Sequence, residues 1–288
     1  MRLLNASGCL DALAAPSVAC QLDGFVTKTV TPEPRQGNRP VRIAETELGM
    51  LNAIGLANPG RDRFLSQILP DLARTLDVAI WVSVGGFSAR DYAETCEQLD
   101  GSDAVASVEL NLSCPNVDEA PESAAEIVAA CRAATSLRLY AKLSPAAWDL
   151  ADVARAVEAA GADGLSLVNT MRGTVLGSDL RPTLATVTGG YSGQPLKPIA
   201  LAAIYTCRRA SELPIVGMGG VQCGRDVLEF VACGATDVAL GTILFADPDA
   251  AQRVRTELRA ALDESGLERL EDAFCAAHET VAALDNHT

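Results

Sequence analysis

The sequence predicts a single (β/α)8 barrel, the TIM-barrel class of α/β fold, and three observations carry that expectation. Strand-like and helix-like segments alternate from end to end, the pattern of parallel strands joined by helical crossovers. Eight strand candidates fit within 288 residues, and eight such units close most economically into a barrel, with an open doubly wound sheet as the alternative. Hydrophobic residues make up 49% and aromatics only 4%, so the core is to be built from Ala, Val, Leu and Ile, as strands buried on both faces require. No Pro-, Gly- or Ser-rich tract and no charge block divides the chain, so residues 1–288 are expected to form one domain.

In chain order the strand candidates are residues 3–6, 23–28, 79–84, 105–112, 137–143, 164–169, 214–218 and 237–241. Pro115 forbids regular continuation of the fourth. Helix starts lie between them. Ser88 and Asp91 lead into Tyr92, Cys96 and Leu99 at i, i+4 and i+7, and Ser123 with Glu126 forms a capping box ahead of Ile127, Val128 and Cys131. Asp149 precedes the stripe Leu150, Val153 and Val157. Cys96 and Cys131 therefore read as packed core residues. Two longer connections interrupt this rhythm. Residues 29–63 lack a clear helix until about Asp62, and the glycines and Asn-Pro step within residues 52–60 suit an irregular segment at the barrel mouth. Residues 170–197, rich in Gly and Thr, read as a loop over the site or a subunit contact.

Composition excludes several classes of function. A formal net charge of -14 works against a large nucleic-acid footprint, which needs clustered Lys and Arg, while leaving room for one local basic pocket. No apolar run approaches the ~18–20 residues that span a bilayer, so no membrane segment is expected. An apolar patch at residues 14–20 is preceded by Asp11 and followed at once by strand-like sequence, unlike a secretory signal. Nine scattered cysteines with no C-x-x-C pair offer no zinc, iron–sulfur or dithiol site and fit reduced thiols in the cytoplasm. His278 and His287 both fall in the C-terminal tail, which disfavours metal catalysis and a hydrolase triad; no bound metal is expected.

A barrel carries its chemistry at the C-terminal ends of its strands. Polar residues or glycines mark these ends in turn: Ser7 and Gly8, Lys28 and Thr29, Gly85 and Gly86, Asn111 with Cys114, Lys142, Asn169 and Thr170, Gly219 and Gly220, Gly241 and Thr242. The Gly217–Val221 and Ala239–Thr242 stretches each follow a strand and lead towards a helix, as the phosphate-holding last two loops of many barrels do; tight turns alone would also use these glycines. Lys28 and Lys142 each end a strand. On a surface they would be ordinary, but in a barrel mouth they supply fixed positive charge for a reduced flavin or a substrate anion. Asn52, Asn111, Asn116 and Asn169 each offer a donor and an acceptor to a planar, amide-rich ligand. Cys114 stands between Asn111 and Asn116 at a strand exit and is the candidate catalytic base. Most free cysteines merely pack, yet a thiol of ordinary pKa ~8.5 abstracts protons once thiolate is populated.

Together these motifs resemble those of class 1 dihydroorotate dehydrogenases across nearly the whole chain. The resemblance rests on Lys28-Thr29-Val30-Thr31, Glu33-Pro34-Arg35-Gln36-Gly37-Asn38, Asn52-Ala53-Ile54-Gly55-Leu56, Asn111-Leu112-Ser113-Cys114-Pro115-Asn116, Ala141-Lys142-Leu143-Ser144-Pro145 and Val168-Asn169-Thr170. It continues through residues 190–193 with Lys197-Pro198, the Gly217 segment and Gly241-Thr242. Membrane-associated class 2 enzymes place serine where Cys114 stands, so the thiol points to class 1.

The resemblance implies FMN in the barrel with dihydroorotate stacked on its ring. Cys114 would remove the C5 proton while the C6 hydride passes to flavin N5, giving orotate for pyrimidine (UMP) biosynthesis. Lys28 would touch both flavin and substrate, and Asn52, Asn111, Asn116, Asn169 and Thr170 would hydrogen-bond the pyrimidine. Ile54, Gly55 and Leu56 would add backbone contacts, and Lys142 would sit by the flavin N1 and C2 carbonyl. Ser7, Gly8, Thr29, Asn111, Ser192, Gly193, Gly219, Gly220, Gly241 and Thr242 match FMN contacts, largely to phosphate and ribityl oxygens.

Residues 33–38 and 52–60 look more like class 1B. That likeness implies a homodimeric core, extending to a heterotetramer with an FAD and iron–sulfur subunit that passes electrons to NAD. Class 1A, a homodimer reducing fumarate, is the alternative within the family. A related FMN-dependent pyrimidine oxidoreductase and a non-catalytic FMN-binding barrel stand outside it. Two departures accompany the resemblance. The chain enters its first strand at once, where the family carries an N-terminal hairpin sealing the barrel bottom, so a late start or an unusual closure is expected. Residues 117–123 are shorter and more acidic than the family's Gly-rich loop, so lid closure is expected to differ.

Overall fold

The computed structural model describes residues 1–112, 124–147 and 149–279. Its strands are β1 (Leu3–Asn5), β2 (Gly24–Val26), β3 (Ile43–Glu45), β4 (Gly49–Asn52), β5 (Ala79–Val84), β6 (Ser107–Asn111), β7 (Leu139–Leu143), β8 (Gly164–Leu167), β9 (Met171–Gly173), β10 (Gly189–Gly193), β11 (Ile215–Met218) and β12 (Asp237–Leu240). Eight of them close a parallel barrel in the order β1-β12-β11-β8-β7-β6-β5-β2. These are the eight segments expected from the sequence, and an α-helix follows each one, the first reduced to a single turn at Pro16–Ala19. Most are shorter than the apolar runs that announced them, because polar residues at the exits leave the ladder and turn into the mouth. No described helix is long and apolar enough to cross a membrane.

Local signals act as the sequence expects. Ser88 Oγ accepts the Asp91 N–H at 3.3 Å to start the helix Ala89–Leu99, whose Tyr92, Cys96 and Leu99 are buried. The Asp91 carboxylate takes the N–H of Phe87 at 2.8 Å. Asp149 caps Leu150–Ala159 through the Asp152 N–H at 3.0 Å, and Ile127, Val128 and Cys131 are the buried face of Ala124–Ala134. Ser123, the other half of that helix's expected capping box, lies outside the described residues.

Two apolar layers hold the barrel. The larger lies between strands and helices, and a smaller one fills the barrel interior with Leu4, Val26, Trp81, Tyr140, Val216, Met218 and Ala239. The rings of Trp81 and Tyr140 are 4.4 Å apart between centroids, and the Arg2 guanidinium lies 5.1 Å over Trp81. Asp237 grips Arg2 with hydrogen bonds to Nη2 at 2.7 Å and Nε at 3.2 Å. The N-terminal end of the barrel is thus filled by side chains of its own strands.

Residues 53–60 are irregular and the helix begins at Arg61, as expected, but residues 29–63 and 170–197 also hold strands that their reading as connections did not anticipate. Their strands pair with one another into an antiparallel sheet, β3-β4-β10-β9, with Asn52 opposite Gly190 and Met50 opposite Ser192. Ala44, Leu51, Ala53 and Leu184 form its own small core. Glycines at closely packed positions disguise this sheet. A Cβ on Gly49 would collide with the carbonyl oxygen of Ser192, so a residue type that reads as a loop breaker is here what lets two strands meet.

Candidate active site

Side chains alternate along a strand, so residues two apart face the same way. On β7, Tyr140 belongs to the interior layer and Lys142 follows it at the mouth; on β6, Glu109 precedes Asn111. Asn111 and Lys142 are in register on adjacent strands. Together with the other strand exits and the four-stranded sheet, they enclose a cavity at the C-terminal end of the barrel.

Every described residue that the family resemblance assigns to the site lines this cavity. β1 delivers Ser7 and Gly8, β2 delivers Lys28 and Thr29, and Asn111 and Lys142 come from β6 and β7. Asn169 and Thr170 follow β8, Gly219 and Gly220 follow β11, and Gly241 and Thr242 follow β12. The added sheet and its loop contribute Asn52, Ile54, Gly55, Leu56, Ser192 and Gly193. Cys114 and Asn116 lie outside the described residues. Gly85 and Gly86, also marked as a strand end, serve packing instead: their Cβ positions would crowd Thr29 Cγ2 at 2.8 Å and Asp91 Cβ at 2.6 Å.

The polar groups are ordered by one another. Thr29 Oγ1 and Ser83 Oγ are 3.0 Å apart, Asn111 Nδ2 donates to Thr29 Oγ1 at 3.1 Å, and Asn169 Nδ2 donates to Asn111 Oδ1 at 3.1 Å. Asn169 Oδ1 then accepts the N–H of Thr170 at 2.8 Å. This chain fixes which end of each amide donates and which accepts, so the pattern shown to a ligand is set before it arrives. Tyr92 adds its hydroxyl, which donates to the Asn111 carbonyl at 2.8 Å.

The two lysines differ. Lys28 is exposed to the mouth, and Gly8 makes room for it: Gly8 has φ +78°, and a Cβ there would lie 3.1 Å from Lys28 Cδ. Lys142 is buried, with its Nζ donating to Ser7 Oγ at 2.8 Å and paired with Glu109 at 3.3 Å. Glu109 and Ser83 were not anticipated. An acid inside the apolar run 105–112 is the signal for Glu109, hidden because a strand buried on both faces does not reveal which face points inward. Cys9 also lines the cavity; burial pushes its thiol above the ordinary value, against the pull of Lys142 and Lys28. His278 stacks on Tyr205 at 4.1 Å, with Nε2 3.0 Å from the Cys233 carbonyl, which gives it a packing role; His287 is outside the described residues.

The loop over the cavity is braced by asparagines of the sequence motifs. Asn58 Nδ2 donates to the Leu56 carbonyl and to Thr31 Oγ1, both at 2.7 Å, and Asn38 Nδ2 donates to the Ala53 carbonyl at 3.0 Å. Opposite, Gly219 and Gly220 have φ of +120° and +80°, and a Cβ on Gly220 would come within 2.6 Å of the Lys197 nitrogen. No main-chain acceptor among the described residues takes the N–H groups of Gly219, Gly220, Gly241 or Thr242. A concave run of such donors suits an anion. Behind it, Lys197 Nζ binds Asp226 at 2.6 Å and Glu229 at 2.9 Å, and the Asp226 carboxylate accepts the N–H groups of Gln222 and Cys223 at 2.7 and 3.1 Å. Burial pushes the Asp226 carboxyl up, but Lys197 and these N–H groups outweigh it and hold the group below its ordinary value.

A family model described as dihydroorotate dehydrogenase matches residues 2–262. The chain belongs to the dihydroorotate dehydrogenase family. It is 44% identical over 260 residues to the dihydroorotate dehydrogenase B (NAD(+)) catalytic subunit of Listeria welshimeri, covering 88% of this chain and 85% of that one. The protein of the same description from Desulforudis audaxviator is 42% identical over 267 residues, 90% of this chain and 87% of that one. That from Halalkalibacterium halodurans is 44% identical over 259 residues, 87% and 85% respectively. In this chain, the barrel mouth is where two lysines, an amide chain and a glycine cradle converge.

Proposed function

We propose that this chain is the catalytic subunit of a class 1B dihydroorotate dehydrogenase, oxidising dihydroorotate to orotate with FMN in the barrel mouth and delivering electrons to NAD through a separate subunit. The observation that carries this reading is the convergence, in one cavity, of an anion cradle, a fixed chain of amides and two lysines of different exposure. The residues fit FMN. The N–H groups of Gly219, Gly220, Gly241 and Thr242 suit its phosphate, Ser192 and Gly193 its ribityl chain, and the buried Lys142 its electron-rich pyrimidine end. Bound there, FMN supplies the acceptor for the C6 hydride.

The chain's own residues then divide the remaining work. Asn111 and Asn169, held by their mutual hydrogen bond, present set donors and acceptors to the pyrimidine amides, joined by Asn52, Thr170 and, in this reading, Asn116. Lys28 offers its ammonium to the substrate carboxylate from the rim. Cys114 Sγ, carried by the segment that follows β6, removes the C5 proton. The NAD(+) in the relatives' names supports the class 1B acceptor, and "catalytic subunit" supports a partner subunit, which in this reading carries FAD and the iron–sulfur cluster. Exposed Val41, Ile43, Leu48 and Leu180, on and beside the four-stranded sheet, supply apolar surface for a homodimeric core. A cytoplasmic location belongs to the same reading.

Anaerobic titration of the purified yellow protein with dihydroorotate tests the proposal. Bleaching of the flavin is expected, followed by reoxidation with NAD only when the natural associates are present. A yellow protein that never bleaches marks a non-catalytic FMN barrel, faster bleaching by dihydrouracil a related pyrimidine oxidoreductase, and reoxidation by fumarate without a partner class 1A.

A further inference from the structure

β6 keeps a charged carboxylate inside the barrel, beside its apolar interior layer. The Glu109 side chain is 2% exposed, and the Lys142 side chain opposite it 6%. Neighbouring interior positions are filled by Trp81, Tyr140, Val216 and Met218, so an apolar residue would fit the architecture. Taking a carboxylate out of water is costly unless it is paired, and among the described residues it is paired with Lys142 Nζ at 3.3 Å. That ammonium also donates to Ser7 Oγ at 2.8 Å. Glu109 lies one interior position below Asn111, so it stands beneath the cavity and reaches it through Lys142. Nothing in the proton and hydride chemistry described above uses it.

We infer that Glu109 is a positioning residue that acts through Lys142: it anchors the ammonium and offsets part of its charge, and so lowers the reduction potential of the bound flavin. This rests on the reading that FMN occupies the mouth with its pyrimidine end at Lys142. A buried ammonium favours any neighbour that gains negative charge, and a reduced flavin is such a neighbour. Uncompensated, Lys142 would draw the flavin potential upwards and hold electrons that must move on to NAD. A carboxylate at 3.3 Å opposes that field in a region where water screens little. The side chain is thereby assigned a redox role, in which its charge and not its shape matters.

The experiment is the midpoint potential of the FMN holoprotein, measured by anaerobic dye equilibration in the wild type and three variants. Glu109→Gln keeps size and hydrogen bonding without the charge, and it should raise the reduced-to-oxidised ratio at fixed potential at least tenfold, about 30 mV for a two-electron couple. Glu109→Met should shift the same way. Glu109→Asp, which alters shape but keeps the charge, should stay near the wild-type value. FMN affinity of each apoprotein is measured alongside. A wild-type potential in Glu109→Gln, or an equal shift in Glu109→Asp, overturns the inference. Loss of FMN from Gln and Met variants alike, with Asp retaining it, marks a structural ion pair and also overturns it. A wild-type protein that binds no FMN instead defeats the functional reading beneath it.

Discussion

At the N-terminal end of the barrel, Trp81 and Tyr140 lie 4.4 Å apart between ring centroids, tilted by 44°, beneath the Arg2 guanidinium, and pack into the interior layer. At the C-terminal end the same strands present Ser83, which holds Thr29, and Lys142, which holds Ser7. Each pair, Trp81 with Ser83 and Tyr140 with Lys142, is two residues apart, roughly 6.6 Å along a strand. One step of the strand period therefore separates a packed plug from a polar site. The difference teaches where the molecule keeps its stability and where its chemistry: the interior layer can be rigid because no ligand enters it, and the mouth can be polar because that layer excludes water from below.

The sharpest way to test this division is to remove chemistry without touching packing. Cys114→Ala should keep FMN and the wild-type melting temperature but slow flavin reduction by dihydroorotate near neutral pH by about 10²–10⁴-fold, the usual worth of a positioned base. Stopped-flow absorbance of the flavin measures it. Wild-type rates in the variant would remove Cys114 from the mechanism and leave the mouth without its proposed base.

The converse change belongs at the other end. Trp81 is 1% exposed and central to the interior layer, so Trp81→Ala should destabilise the protein by about 3–5 kcal/mol in denaturant unfolding. At temperatures where the variant is folded, its flavin reduction rate should stay within a few-fold of the wild type. A large loss of rate with little loss of stability would mean that the plug shapes the mouth, and the two ends would then be one unit.

The same contrast governs what the sequence reveals. The eight barrel strands are legible because each is a largely apolar run, and the candidate residues at their exits are legible because they interrupt such a run. Asn52, Ile54, Gly55, Leu56, Ser192 and Gly193, from the added sheet and its loop, are legible only through the family resemblance. Gly85 and Gly86 share the strand-end signature and serve packing, since a glycine at a strand end announces close approach without saying to what. The four-stranded sheet is illegible for the opposite reason. Its strands are short, its partners Asn52 and Gly190 are 138 positions apart, and its glycines mimic a loop. Glu109 hides within an apolar run whose inward face only the closed barrel defines. Cys96 and Cys131, by contrast, fall on helix stripes and are buried as that pattern requires.

The smallest expected effect lies between the two regions, where the anion cradle is tied to the helix Gly224–Ala232. Asp226 sits in the first turn of that helix, takes the N–H groups of Gln222 and Cys223, and pairs with Lys197 at 2.6 Å. Its carboxyl is held below the ordinary value, so the unfolded chain binds this proton more readily than the folded one. The stabilisation is therefore present above the unfolded carboxylate pKa of ~3.9 and disappears as pH falls through the lower folded value. Asp226→Asn removes the charge at every pH and should cost about 1 kcal/mol at neutral pH, comparable to the loss of a helix cap, or about 2–4 °C in melting temperature. Melting curves between pH 2 and 7 should bring the variant and the wild type together at the acid end. FMN affinity should fall with stability at neutral pH, because Gln222 and Cys223 continue the turn that begins at Gly219. A variant that loses stability but binds FMN as the wild type does would separate the cradle from its brace, and place the cradle wholly with the mouth.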